Sequence, residues 1–154
     1  MNFSTNEQTD FAEKMAILAS PAQYVGTVQP ASAKRVPLSN AQMDKVCGYL
    51  AGHLNGRMRV AGLAALIGLG RTSFFERFTI TANMTPNQYL QTLRIEKAKE
   101  LMRDPQFTLL DIAFACGYSD QSHLTRFFKR FVGVSPGQYR RDVLSQQSSD
   151  RRMP

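Results

Sequence analysis

The chain has 154 residues, 43% of them apolar, and a formal net charge of +7. That length fits one domain or two very small ones, with enough apolar side chains for a packed core, which excludes a chain disordered throughout. No apolar run approaches the roughly 18 residues that cross a membrane. The opening MNFSTNEQTD also lacks the basic start and apolar stretch of a secretion signal, so a cytoplasmic protein with no membrane partner is expected.

Residues 1–37 read as a peripheral arm. Pro21, Pro30 and Pro37 interrupt it, and SAKRVP has the look of a linker. One short helix is possible over 10–19, because Asp10 and Glu13 have capping-box spacing and Phe11, Met15 and Leu18 would form an apolar face. A first core helix is expected over 39–54, with Met43, Val46, Cys47, Leu50 and Leu54 near one side and Asn55-Gly56 marking its end. Cys47 and Cys116 are far apart in apolar helical contexts, which suits reduced packing cysteines better than a disulfide or a metal site. His53 stands alone and suits a surface or capping role.

From there the periodicity is helical, with no convincing strand, and it repeats. Leu63-Ala64 followed by Gly68 matches Ile112-Ala113 followed by Gly117, at an offset of 49. Phe74 and Phe78 match Leu124 and Phe128, and Met84-Thr85-Pro86 with Tyr89 matches Val134-Ser135-Pro136 with Tyr139, at an offset of 50. Each unit is a short apolar helix, a glycine turn, a second helix, and a third that starts at a capping hydroxyl followed by proline. A helix over 86–103 would join the units, with Leu90, Leu93, Ala98, Leu101 and Met102 as its apolar contacts. The polar SQQSSDRRMP, within residues 142–154, is expected to be a disordered tail.

The charge is concentrated in the repeat. Residues 57–141 hold thirteen Lys or Arg against six Asp or Glu, whereas the segments on either side are each net neutral. A concentrated positive charge is a statement about partners, and polyanions are the first candidates. In GYSDQSHLTRFFKRF, residues 117–131, Leu124, Phe127, Phe128 and Phe131 fall on one helical stripe. Ser122, Thr125, Arg126 and Lys129 then lie on the other face. A helix held behind a glycine turn with polar and cationic residues outward fits the DNA major groove.

The tandem of LAALIGLG, FFERF and MTPNQYL with IAFACGYSDQSHLTRFFKRFVGVSPGQYRR, joined by LRIEKAKELM, resembles the DNA-binding domain of the AraC/XylS family of bacterial transcription regulators. The resemblance covers about residues 38–141 and implies an all-α fold of seven helices. Two helix-turn-helix subdomains, about 38–84 and 105–141, would be joined by a linker helix at about 85–104. It also implies double-stranded DNA as partner, recognition helices in successive major grooves, and usually activation through contact with RNA polymerase. Many members carry a ligand-sensing domain much longer than residues 1–37, so a short stand-alone member or a fragment is expected here. The sequence specifies no oligomeric state.

Carried over by position, Gln121, Ser122, His123, Thr125 and Arg126 are expected to read bases from the second recognition helix. Lys129, Arg130 and Arg140 are expected at phosphates. The first recognition helix departs from the family pattern, offering Thr72, Phe75 and Glu76 to bases with Arg71 and Arg77 as flanking cations. A carboxylate at Glu76 repels phosphates but can accept from a cytosine amino group. No metal-ligand spacing, phosphate loop or paired carboxylates are visible, so no cofactor and no enzyme activity is expected. The rival reading is an interaction module that uses the same fold to bind RNA polymerase or another regulator.

Overall fold

The computed structural model describes residues 36–150, and the helix expected over 10–19 lies outside them. The described residues form seven helices and no strand. These are α1 (Asn40–Gly52), α2 (Val60–Leu66), α3 (Arg71–Ala82), α4 (Pro86–Leu101), α5 (Leu109–Ala115), α6 (Gln121–Val132) and α7 (Pro136–Asp150).

Local chemistry sets most of the boundaries. Reciprocal side-chain and backbone hydrogen bonds cap α1 through Ser39 and Gln42, α4 through Thr85 and Gln88, and α5 through Thr108 and Asp111. Pro86 begins α4, where a missing N–H costs nothing. The turns between the paired helices need left-handed backbone, and Gly68 and Gly117 supply it at φ of 69° and 80°. The repeat extends further, because α3 and α6 both end in a left-handed residue, Asn83 and Gly133.

Two cores result. Val46, Leu50, Leu63, Phe74, Phe78, Tyr89 and Leu90 form the first, with Phe78 edge-on to Tyr89 at 5.6 Å between centroids. Ile95, Ala98, Met102, Ile112, Cys116, Tyr118, Leu124 and Phe128 form the second. Ala64 and Ala113 are fully buried where each helix pair crosses. The linker α4 gives Tyr89 and Leu90 to one core and Ile95 and Ala98 to the other, so it is a shared wall.

Two expectations need correction. The linker helix stops at Leu101 with Met102 as its cap, not at Arg103. Pro105 disfavours helical backbone at Asp104, and the Asp104 carboxylate instead accepts from the Gln106 amide in a turn. The segment from Asp142 is not disordered from its start, since α7 continues to Asp150. No proline or glycine interrupts it there and Val143 and Leu144 are half-buried, while the hydroxyls of Ser145, Ser148 and Ser149 find acceptors in carbonyls of the preceding turn without ending the helix.

Candidate nucleic-acid interface

The second recognition helix, α6, is fixed at its N-terminus by Asp120. Its carboxylate accepts from the His123 amide at 2.7 Å. That bond, with one from the Ser119 hydroxyl, holds the Asp120 carboxyl below the usual range, so the cap is ionised at neutral pH. Leu124 and Phe128 anchor the inner face with no exposure. Gln121, Ser122, Arg126, Lys129 and Arg130 stand exposed on the outer side. Thr125 is half-buried, and its hydroxyl donates to the Gln121 carbonyl at 2.8 Å. The Arg126 guanidinium carbon lies 5.5 Å from the Phe127 ring centroid, a contact that restrains an otherwise free side chain.

His123 is half-buried, unlike the exposed Gln121 and Ser122 before it. Its ring meets Tyr118 and Phe127 edge-on, at 5.2 and 5.1 Å. Its Nδ1 accepts from the Ser119 amide at 3.3 Å, which leaves Nε2 as the nitrogen able to donate outward. Arg140 is in a different situation from the one expected. Its Nη2 donates to the Asp104 and Pro105 carbonyls at 3.2 and 3.0 Å, tying α7 to the turn after the linker helix. A guanidinium nitrogen that bonds two carbonyls at the protein surface acts as a structural clamp, and we propose that role for Arg140 in place of the expected phosphate contact.

On the first recognition helix, α3, Arg71 and Thr72 stand exposed in the opening turn. Phe75, Glu76 and Arg77 are half-buried further along. Gly70 precedes α3 without a side-chain cap, unlike Asp120 before α6. The far end of α3 is secured by Thr81, whose Oγ1 accepts from the Leu38 amide at 2.8 Å. The two helices, α3 and α6, are therefore built alike but held differently.

Sequence reasoning missed Arg94. Only 9% of it is exposed, on the inner side of α4. Its Nε donates to the Leu54 carbonyl at 2.9 Å and its Nη2 to the Gly56 carbonyl at 3.1 Å, while Tyr118 presents its ring 5.8 Å from the guanidinium carbon. The loop after α1 is thereby bound to the turn before α6. A signal was available, since Leu90, Arg94 and Ala98 fall at i, i+4 and i+8, which puts the arginine on the apolar stripe.

A Helix-turn-helix domain family matches residues 63–142. The MmsAB operon regulatory protein of Pseudomonas aeruginosa is 31% identical over 101 residues, covering 66% of this chain and 33% of its own length. The HTH-type transcriptional activator RhaS of Klebsiella pneumoniae is 28% identical over 110 residues, covering 70% of this chain and 40% of its own. The chain thus spans between a third and two fifths of the length of these relatives. Among solved structures, the DNA-binding domain of the global transcriptional factor AdpA, in complex with a target DNA, aligns with a TM-score of 0.65 and 27% identity. That alignment covers 71% of this chain and 98% of the AdpA chain.

Proposed function

The chain belongs to the AraC/XylS family of helix-turn-helix transcription regulators, and on that premise we propose that it binds double-stranded DNA sequence-specifically, with α3 and α6 in successive major grooves. The observation that carries this reading is the outer face of α6. Gln121, Ser122 and Arg126 are exposed on a helix whose other face is locked by Leu124 and Phe128. Short polar side chains and arginine on a rigid helix suit base edges.

In this reading Gln121, Ser122, Thr125, Arg126 and the His123 Nε2 face bases, and Lys129 and Arg130 face phosphates. Arg71, Thr72, Phe75, Glu76 and Arg77 form a weaker contact through α3. Residues 38–84 and 105–141 act as two reading subdomains, joined by a segment of 85–104 in which α4 takes Pro86–Leu101. The protein acts in the cytoplasm as a transcription factor with no catalytic step. Activation through contact with RNA polymerase completes the proposal, and the RhaS relative, itself named an activator, supports it.

Salt-dependent gel shift on genomic fragments tests the core of this. Neutralising about six phosphates gives a slope of log K against log salt of about −5. A slope shallower than about −2 would instead favour an interaction module with little DNA affinity.

A further inference from the structure

Among the described residues, no anion lies beside the buried cation Arg94. Its bonded partners, the Leu54 and Gly56 carbonyls, are neutral, and so is the Tyr118 ring against it. Carbonyl oxygens offset part of the lost hydration, but a desolvated charge without a counter-charge is an expensive arrangement. Burial accordingly lowers the proton affinity of the guanidinium. The arginine is also not sealed in. It forms part of the wall of a cleft of about 450 Å³, which Asn55, Arg57, Arg59, Asn87 and Gly117 also line. Arg57 and Arg59 line it as exposed side chains, and among the described residues no carboxylate lines it.

We propose that this cleft is a phosphate site, in which Arg57, Arg59 and the wall arginine Arg94 surround one phosphate group and Asn55 and Asn87 offer amide donors to its oxygens. The anion supplies the counter-charge that Arg94 lacks. The bonds from Arg94 to the loop carbonyls hold Asn55 to Arg59 in place beforehand, so little ordering is needed on binding. The cleft is larger than a phosphate ion, which leaves room for the ester substituents of either a DNA backbone or a free phosphorylated molecule. Because the site joins the loop after α1 to the turn before α6, occupancy would stiffen the connection between the two helix-turn-helix units.

The test uses the full chain and the double variant Arg57→Gln/Arg59→Gln, which leaves Arg94 intact and alters only exposed side chains. In the first arm, inorganic phosphate is added to DNA-free protein against chloride at equal ionic strength, and the thermal midpoint is read. In the second, phosphates of a bound duplex are neutralised singly as methylphosphonates between the two grooves. If DNA supplies the phosphate, one such position weakens the wild type by about tenfold and has no effect on the double variant. If a free molecule supplies it, phosphate raises the midpoint of the wild type but not of the variant, and no methylphosphonate position distinguishes the two proteins. Either result supports the site. Identical behaviour of wild type and variant in both arms overturns it. A chain that binds no DNA at all removes the proposed function, while the first arm still decides on the cleft.

Discussion

A methyl group placed on Gly117 would lie 2.8 Å from Arg94 Nη2 and closer still to the Leu54 carbonyl oxygen. Gly117 is the turn residue of the second helix-turn-helix, Leu54 follows the first helix of the first unit, and Arg94 belongs to the linker between them. Three parts of the chain therefore meet at a point that admits no side chain. The two units share a tertiary contact as well as a helix.

Gly68 and Gly117 hold equivalent places in the repeat, yet they should respond differently to alanine. At Gly68 the added carbon meets open space, so Gly68→Ala should cost only the left-handed backbone penalty, about 1–2 kcal/mol. Gly117→Ala adds a clash with Leu54 and Asn55 backbone, about 1–3 kcal/mol more. Urea denaturation of both variants measures the difference. Equal losses would mean that the Leu54 loop moves aside freely.

The features legible in the sequence were those with a local cause. Glycines at turns, Thr85 before Pro86, and the apolar spacing of Leu124 and Phe128 each report on a few neighbouring residues, and the repeat doubled the signal. Arg94 bonds a carbonyl forty positions away, and Arg140 one thirty-six positions away. A cation at such positions looks like surface charge until the fold brings its partner near. The end of α7 was missed for another reason. Serine-rich polar sequence favours disorder by composition, but here back-bonded serines continue a helix already nucleated at Pro136.

Arg126 and Lys129 lie one turn apart on α6 and should fail differently. Arg126→Ala should cost about 1–3 kcal/mol and relax preference at one base pair. Lys129→Ala should weaken all sequences alike and reduce the salt slope by about one. Binding to a randomised duplex pool at several salt concentrations separates the two. Uniform losses from both substitutions would take Arg126 out of the base contacts.

Arg140→Ala should appear in stability rather than in DNA affinity. Losing its bonds to the Asp104 and Pro105 carbonyls should cost about 1 kcal/mol. The salt slope of binding should stay within error of wild type. A slope reduced by about one with unchanged stability would restore Arg140 to the phosphate contacts.

Burial of Cys116 pushes its thiol from an ordinary 9.0 to about 11. The folded state keeps a proton that the unfolded chain releases first. This contribution is therefore complete below pH 9 and is lost as the pH rises towards 11. Burial raises Tyr89 and Tyr118 as well, which steepens the same decline. Denaturation midpoints followed from pH 7 upward for wild type and Cys116→Ala isolate the thiol. The gap between the two proteins should shrink above pH 9, and a constant gap would rule the thiol out.

The linker helix α4 has 16 residues, which span roughly 24 Å at about 1.5 Å per residue. Successive major grooves on one face of straight DNA lie about 34 Å apart. The widths of the two units can supply part of the difference, but the Arg94 bonds to Leu54 and Gly56 oppose any hinge at the linker's centre. With the protein stiff, the duplex has to adjust. One molecule should reach both grooves by bending the DNA, at a cost of a few kcal/mol. Sites with flexible pyrimidine–purine steps between the contacted segments should bind better although no side chain reads those steps. Circular-permutation mobility measures the bend, and Arg94→Gln, which loosens the brace, should reduce it. A straight complex protecting both grooves would refute the stiff-linker argument. Protection of a single groove would point instead to α3, whose Phe75 and Glu76 depart from the base-reading pattern of the family.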